Sequence, residues 1–145
     1  MTSTDENNNL RPVILIVEDH DALRDSLKSW LGSVFQDCYI LLARNGEDAL
    51  NKVSVQPPDI VLMDVLLPGM NGITTARCFK DVVPSAKVVM LSIYEDPAYQ
   101  ADAVAAGAYA YIPKRKMGKE LIPMITKLLQ DRLSHFIAHP ERGES

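Results

Sequence analysis

Cysteine is scarce in this chain. Cys38 and Cys78 are two among 145 residues, far apart and without CxxC spacing. That excludes a disulfide scaffold and a cysteine zinc cluster, and both thiols read as small buried apolar residues. An excess of basic charge is missing as well. Lys plus Arg total 15 against 19 for Asp plus Glu, a net charge of −4, so nothing draws the chain to nucleic acid or anionic membranes. No helix-turn-helix segment is present. No apolar run approaches the roughly 20 residues of a membrane helix. The polar, acidic stretch Met1 to Arg11 lacks the apolar core of a signal peptide, so a cytoplasmic protein is expected. Internal repeats and low-complexity blocks are absent beyond the first ten residues.

What is present is an ordinary globular balance, 47% hydrophobic and 23% charged, at a length suited to one domain. Residues 1–10, with three consecutive asparagines, read as a flexible leader, 11–137 as the domain and 138–145 as a flexible tail. Within the domain, short apolar runs alternate with segments of helical period. Val13 to Val17 is apolar on both faces and rich in β-branched residues, as a strand covered on both sides should be. Asp21 is placed to cap a helix carrying Leu23, Leu27, Trp30, Leu31 and Val34. Ile40 to Ala43 reads as a second strand, and Asn45 with Asp48 opens a short helix to about Ser54.

Pro57 and Pro58 stop that helix before a third strand, Ile60 to Met63. A turn-rich loop from Val65 to Asn71 leads to a helix from Gly72 to Val83. Val88 to Leu91 reads as the fourth strand. Asp96-Pro97 starts and Gly107 stops the next helix. Tyr109 to Ile112 is the fifth strand. Lys119 to about Ile137 is the last helix, with Pro123 predicting a later start near Glu120 or a kink. Five βα units in succession predict a parallel sheet with helices on both faces.

Ligands of open α/β sheets bind beyond the carboxyl ends of the strands. Glu18, Asp19, His20 and Asp21 follow the first strand, Asp64 the third, Ser92 the fourth and Lys114 the fifth. Crowded carboxylates repel one another unless a cation neutralises them, and a hard divalent cation such as Mg²⁺ takes oxygen ligands. A carboxylate beside such an ion can attack a phosphoryl group, whose oxygens then need an ammonium and a hydroxyl donor. Each residue has a plainer reading. Glu18, Asp19 and Asp21 suit a helix N-terminus, Asp64 a turn, Ser92 a loop hydroxyl and Lys114 a solvated basic turn with Arg115 and Lys116. Their recurrence at four strand ends favours a common site, with the plain reading kept for Arg115 and Lys116. His20 is read as structural, because Mg²⁺ prefers oxygen. His135 and His139, four apart near the last helix end, are read the same way.

The motifs Val17-Glu18-Asp19-His20, Pro58 to Asp64, Leu67-Pro68-Gly69-Met70-Asn71-Gly72, Leu91-Ser92, Ala106-Gly107-Ala108 and Tyr111-Ile112-Pro113-Lys114 together resemble the receiver domain of bacterial two-component response regulators. The resemblance covers roughly residues 11 to 133 and is nearest to receivers that precede a LuxR-type DNA-binding domain. It implies the CheY-like, flavodoxin-like doubly wound fold, with strand order 2-1-3-4-5. It also implies roles. Asp64 would be the phosphoacceptor. Glu18 and Asp19 would hold Mg²⁺ with Asp64 and the backbone carbonyl of Leu66. Ser92 would be the switch hydroxyl, Lys114 the phosphate partner and Tyr111 the switch aromatic. The output face would be the fourth helix, fifth strand and fifth helix.

The expected activity is that of a signalling phosphoacceptor rather than an enzyme, with self-catalysed dephosphorylation. The implied donor is a histidine kinase or a histidine phosphotransfer protein. The implied reader is a downstream protein partner or an output domain absent from this sequence, and a homodimer through the output face is a further expectation. Two departures from the family pattern stand out. Arg115 occupies the place where many receivers have proline, and Ile93 is larger than the Ala or Gly often found beside the switch hydroxyl, narrowing access for small donors. They keep open an alternative, a protein-binding module of the same fold that works without phosphorylation. A phosphohydrolase with an aspartyl nucleophile is disfavoured, because Leu66 stands where its general acid would be.

Overall fold

The computed structural model describes residues 11–138, so the leader assigned to 1–10, the tail from 139 onward and His139 lie outside the described residues. Five parallel strands form one sheet: β1 (Val13–Val17), β2 (Tyr39–Ala43), β3 (Ile60–Asp64), β4 (Lys87–Ser92) and β5 (Ala110–Pro113), in the order β2-β1-β3-β4-β5. The helices are α1 (Asp21–Val34), α2 (Gly46–Val53), α3 (Gly72–Val82), α4 (Pro97–Ala105) and α5 (Met117–Ala138), the last preceded by a 3₁₀ turn at Lys114–Lys116. The doubly wound α/β fold and its strand order are therefore as the sequence motifs imply.

Strand alternation divides the core into two layers. Leu15, Val17, Val61, Met63, Val88 and Met90 face α2, α3 and α4, where Ala49, Val53, Ala76, Phe79, Ala103 and Ala106 meet them. Ile14, Ile16, Ile60, Leu62, Val89, Leu91 and Ile112 face α1 and α5, meeting Leu27, Leu31, Leu121, Ile125 and Leu128. Each fully buried aliphatic side chain contributes about 1.5–3 kcal/mol, so the sheet is a stiff platform for whatever stands at its edges. Burial on both faces is why β1 and β3 read as unbroken apolar runs rather than alternating ones.

The boundaries differ from the sequence reading in physically clear places. Asp21 does not cap α1. His20 occupies the cap position without a side-chain capping bond, and Asp21 in the first turn is held by Arg24 instead. Asp96 likewise makes no capping bond, while Asn45 and Asn71 do cap, accepting from Asp48 N at 2.8 Å and Thr74 N at 2.9 Å. α5 starts at Met117 and runs through Pro123. The carbonyl that proline cannot serve, one turn earlier, belongs to exposed Lys119, and Pro123 is itself exposed, so this turn is open to solvent and the missing bond costs little. The cysteines are half-buried rather than core residues, and burial pushes the Cys38 thiol pKa up.

Candidate functional site

The carboxyl ends of β1, β3, β4 and β5 meet at one edge of the sheet. Glu18 follows β1, and its N–H donates to Ala43 O at 3.0 Å, which extends the β1–β2 pairing by one residue. Its side chain is 2% exposed. Asp64 closes β3 and is 8% exposed. Lys114 follows β5, and its ammonium reaches between them, donating to Asp64 Oδ2 at 2.7 Å and to Glu18 Oε1 at 3.2 Å. The other Asp64 oxygen, Oδ1, accepts from Leu66 N at 2.9 Å. Both carboxylate oxygens are thus fixed, and the rotamer is set before any ligand arrives.

Burial alone disfavours a charged ammonium at Lys114. The hydrogen bond and charge of Asp64, and then those of Glu18, outweigh it, so the Lys114 pKa is raised. Asp19 is part of the same cluster, one third exposed. Its Oδ1 lies 3.5 Å from His20 Nδ1, which is 3.4 Å from Glu18 Oε2. Glu18, Asp19 and Asp64 carry three negative charges against one on Lys114. A set of oxygens with surplus negative charge at a partly open edge suits a hard divalent cation, so these residues fit Mg²⁺ chemically.

Ser92 ends β4. The parallel register sets Asp64 opposite Leu91, so Ser92 stands one residue further along the neighbouring strand, 1% exposed. Its Oγ accepts from Tyr94 N at 2.9 Å. Tyr111, from β5, donates its hydroxyl to Tyr94 O at 2.5 Å, and burial pushes its phenol pKa up. The sequence reading therefore finds Glu18, Asp64, Ser92 and Lys114 buried or half-buried at one edge, with Asp19 and Tyr111 beside them. Leu66 meets Asp64 through its backbone N–H. Ile93 is 66% exposed and stands at the rim of this edge.

Arg24 escapes the sequence reading. It is 7% exposed and donates from Nη1 to Glu18 O at 2.9 Å and from Nη2 to Asp21 Oδ1 at 2.5 Å. It ties the acidic loop to α1. The signal available was an arginine one position from the apolar stripe of α1, close enough to turn toward the loop. Thr75 is also unforeseen: fully buried, its hydroxyl donates to Asn71 O at 2.8 Å and anchors the start of α3.

Known proteins resemble this chain in sequence and in fold. Residues 14–126 match the response regulator receiver domain. The chain is 39% identical over 101 residues to the transcriptional regulatory protein LnrK of Bacillus subtilis, covering 70% of this chain and 46% of that protein. It is 30% identical over 117 residues to the transcriptional regulatory protein DegU of Brevibacillus brevis, covering 81% of this chain and 50% of that one. The chain thus spans about half the length of the curated relatives it matches. Among solved structures, a CheY-like receiver domain from Methanospirillum hungatei superposes with a TM-score of 0.78 at 27% identity, covering 86% of this chain and 98% of that one. A LuxR-family DNA-binding response regulator from Staphylococcus aureus gives 0.73 at 27% identity, covering 81% of this chain and 98% of that one.

Proposed function

Because the chain belongs to the response regulator receiver domain family, we propose that Asp64 accepts a phosphoryl group from a phosphohistidine donor, a histidine kinase or a histidine phosphotransfer protein. The observation that carries this reading is the buried Asp64 carboxylate held 2.7 Å from the Lys114 ammonium, beside Glu18, at the carboxyl edge of the sheet. An Asp64 oxygen attacks phosphorus, the P–N bond breaks, and the imidazole leaves with its electron pair and takes up a proton. Lys114 then shifts from the carboxylate to a phosphoryl oxygen, and Ser92 donates its hydroxyl to another. Glu18, Asp19, Asp64 and the Leu66 carbonyl would hold Mg²⁺, which supplies charge neutralisation for the transferring group.

The phosphoryl group biases an existing equilibrium between two arrangements of the β4–α4 loop. Tyr111, already bonded to that loop, carries the bias to α4, β5 and α5, the face read by a downstream partner or output domain. A homodimer through the same face belongs to this reading. Water later hydrolyses the acyl phosphate, so the chain is a resettable phosphoacceptor rather than a turnover enzyme.

Intact mass after incubation with Mg²⁺ and either acetyl phosphate or a phosphorylated histidine phosphotransfer protein tests the reading. A gain of one phosphoryl group is expected, absent in Asp64→Asn. Uptake by Asp64→Asn at the wild-type rate would refute the assignment. No uptake from either donor would favour the phosphorylation-independent docking module.

A further inference from the structure

Arg115, one residue past Lys114, forms the best-formed exposed ion pair among the described residues. Its Nε donates to Glu95 Oε2 and its Nη2 to Glu95 Oε1, both at 2.7 Å, a two-bond fork of planar guanidinium on carboxylate. Glu95 belongs to the β4–α4 loop that follows Ser92. Arg115 lies in the 3₁₀ turn that begins at Lys114. The two loops that supply the hydroxyl and the ammonium are thus joined side chain to side chain, away from the reacting atoms.

The rest of the β4–α4 loop is fixed from the same side. Tyr111 donates to Tyr94 O, and the Tyr94 ring stacks on Tyr99 of α4, centroids 4.8 Å apart at 16°. Tyr111 and Arg115 therefore flank Lys114 and grip consecutive residues, Tyr94 and Glu95. Ile93, Tyr94, Glu95 and Asp96 are all exposed, so this segment has little burial of its own to hold it. A loop with few buried contacts takes its position from such cross-links.

The geometry points to the Glu95–Arg115 fork as a positioning clasp that presents Ser92 and Lys114 to the phosphoryl group as one preorganised unit. This rests on the phosphoacceptor reading of Asp64. Neither Glu95 nor Arg115 touches the reacting group. They act by removing the cost of ordering two loops when it binds.

The test is the dissociation constant of the phosphoryl analogue beryllofluoride, with Mg²⁺, measured by calorimetry or ¹⁹F NMR on the full chain. Glu95→Gln and Arg115→Gln are each expected to weaken binding about two- to fivefold at low salt, the range of an exposed ion pair. Glu95→Arg combined with Arg115→Glu should recover most of the loss, which a general packing role would not allow. The variant-to-wild-type ratio should converge toward one at high salt. Wild-type affinity in both single variants at low salt, with wild-type binding intact, would overturn the clasp and leave the Asp64 reading standing. Tighter binding in the single variants would overturn it too, since the fork would then be a restraint. Failure of the wild type to bind beryllofluoride at all would overturn both.

Discussion

Replacing Gly72 by alanine should destabilise the protein, and the reason is local and geometric. Gly72 opens α3, and its N–H donates to Val65 O at 2.9 Å. A Cβ there would sit 2.3 Å from Asp64 O and 2.9 Å from both Val65 Cα and Val65 O. These are backbone atoms of the strand end and the loop after it, so no side chain can swing aside. Either the first turn of α3 or the end of β3 must move. Overpacking of this kind costs about 1–3 kcal/mol, against a helix-propensity gain of about 1 kcal/mol or less. For a domain of this size the melting midpoint should fall by about 3–10 °C.

Gly118 in α5 and Gly32 in α1 provide the opposite sign. Nothing lies within 4 Å of a Cβ at either position, so alanine there should be neutral or stabilising by up to about 1 kcal/mol. Urea unfolding with a shared m-value is the assay. A Gly72→Ala protein as stable as the Gly118→Ala protein would refute the argument. Gly46→Ala adds a second comparison. Its Cβ would lie 2.1 Å from Thr75 Oγ1, at the α2–α3 contact rather than under Asp64. Both variants should lose stability, but under the proposed function Gly72→Ala should slow phosphoryl uptake more, because it displaces the backbone of Asp64 itself.

Further expectations concern the two ends of the sheet. Asp59 accepts from Val13 N at 2.8 Å through Oδ2 and from Arg132 Nε at 2.9 Å through Oδ1. Asp59→Ala leaves the N–H of buried Val13 without its acceptor and should cost about 1–3 kcal/mol in urea unfolding. Asp59→Asn, which keeps an acceptor, should cost less. At the other end, the raised Lys114 pKa means the folded chain holds that proton to higher pH than the unfolded chain, whose value is near 10.5. Its contribution is complete below that pH and is lost as pH rises through the folded value. Tyr111, raised by burial above 10.0, acts with the same sign. Stability should therefore fall on the alkaline side above about pH 10, and Lys114→Met and Tyr111→Phe should each flatten that slope when unfolding is followed from pH 8 to 12. An unchanged slope in both would contradict these environments.

The strands were legible because their chemistry is extreme. Ile14 to Val17 and Ile60 to Met63 are buried on both faces, so each position is apolar and no other element fits four such residues between turn signals. The ends of elements were less legible, because they depend on partners far away in sequence. β5 runs one residue later than its apolar content suggests, because Pro113 pairs beside Ser92 at an outer strand, where the missing N–H need not bond a neighbour. α5 survives Pro123 because the affected turn faces solvent, a fact that the order of residues alone does not contain.

The same division runs through the site. Glu18, Asp64, Ser92 and Lys114 were legible because parallel topology brings every strand's carboxyl end to one edge, so position after a strand is already position in space. What that rule could not supply is how the side chains at the edge are held. Arg24 turns back to a backbone carbonyl, Leu66 lends its N–H to Asp64, and Arg115 grips Glu95 across two loops. None of these is a strand-end residue pointing at the site, and Arg115 read as a solvated charge. The strand-end groups are placed by topology, whereas the groups that hold them are placed by loop geometry. Under the proposed function, variation outside the strand ends, at residues such as Arg24, Glu95 and Arg115, would therefore tune the switch while leaving its chemistry intact.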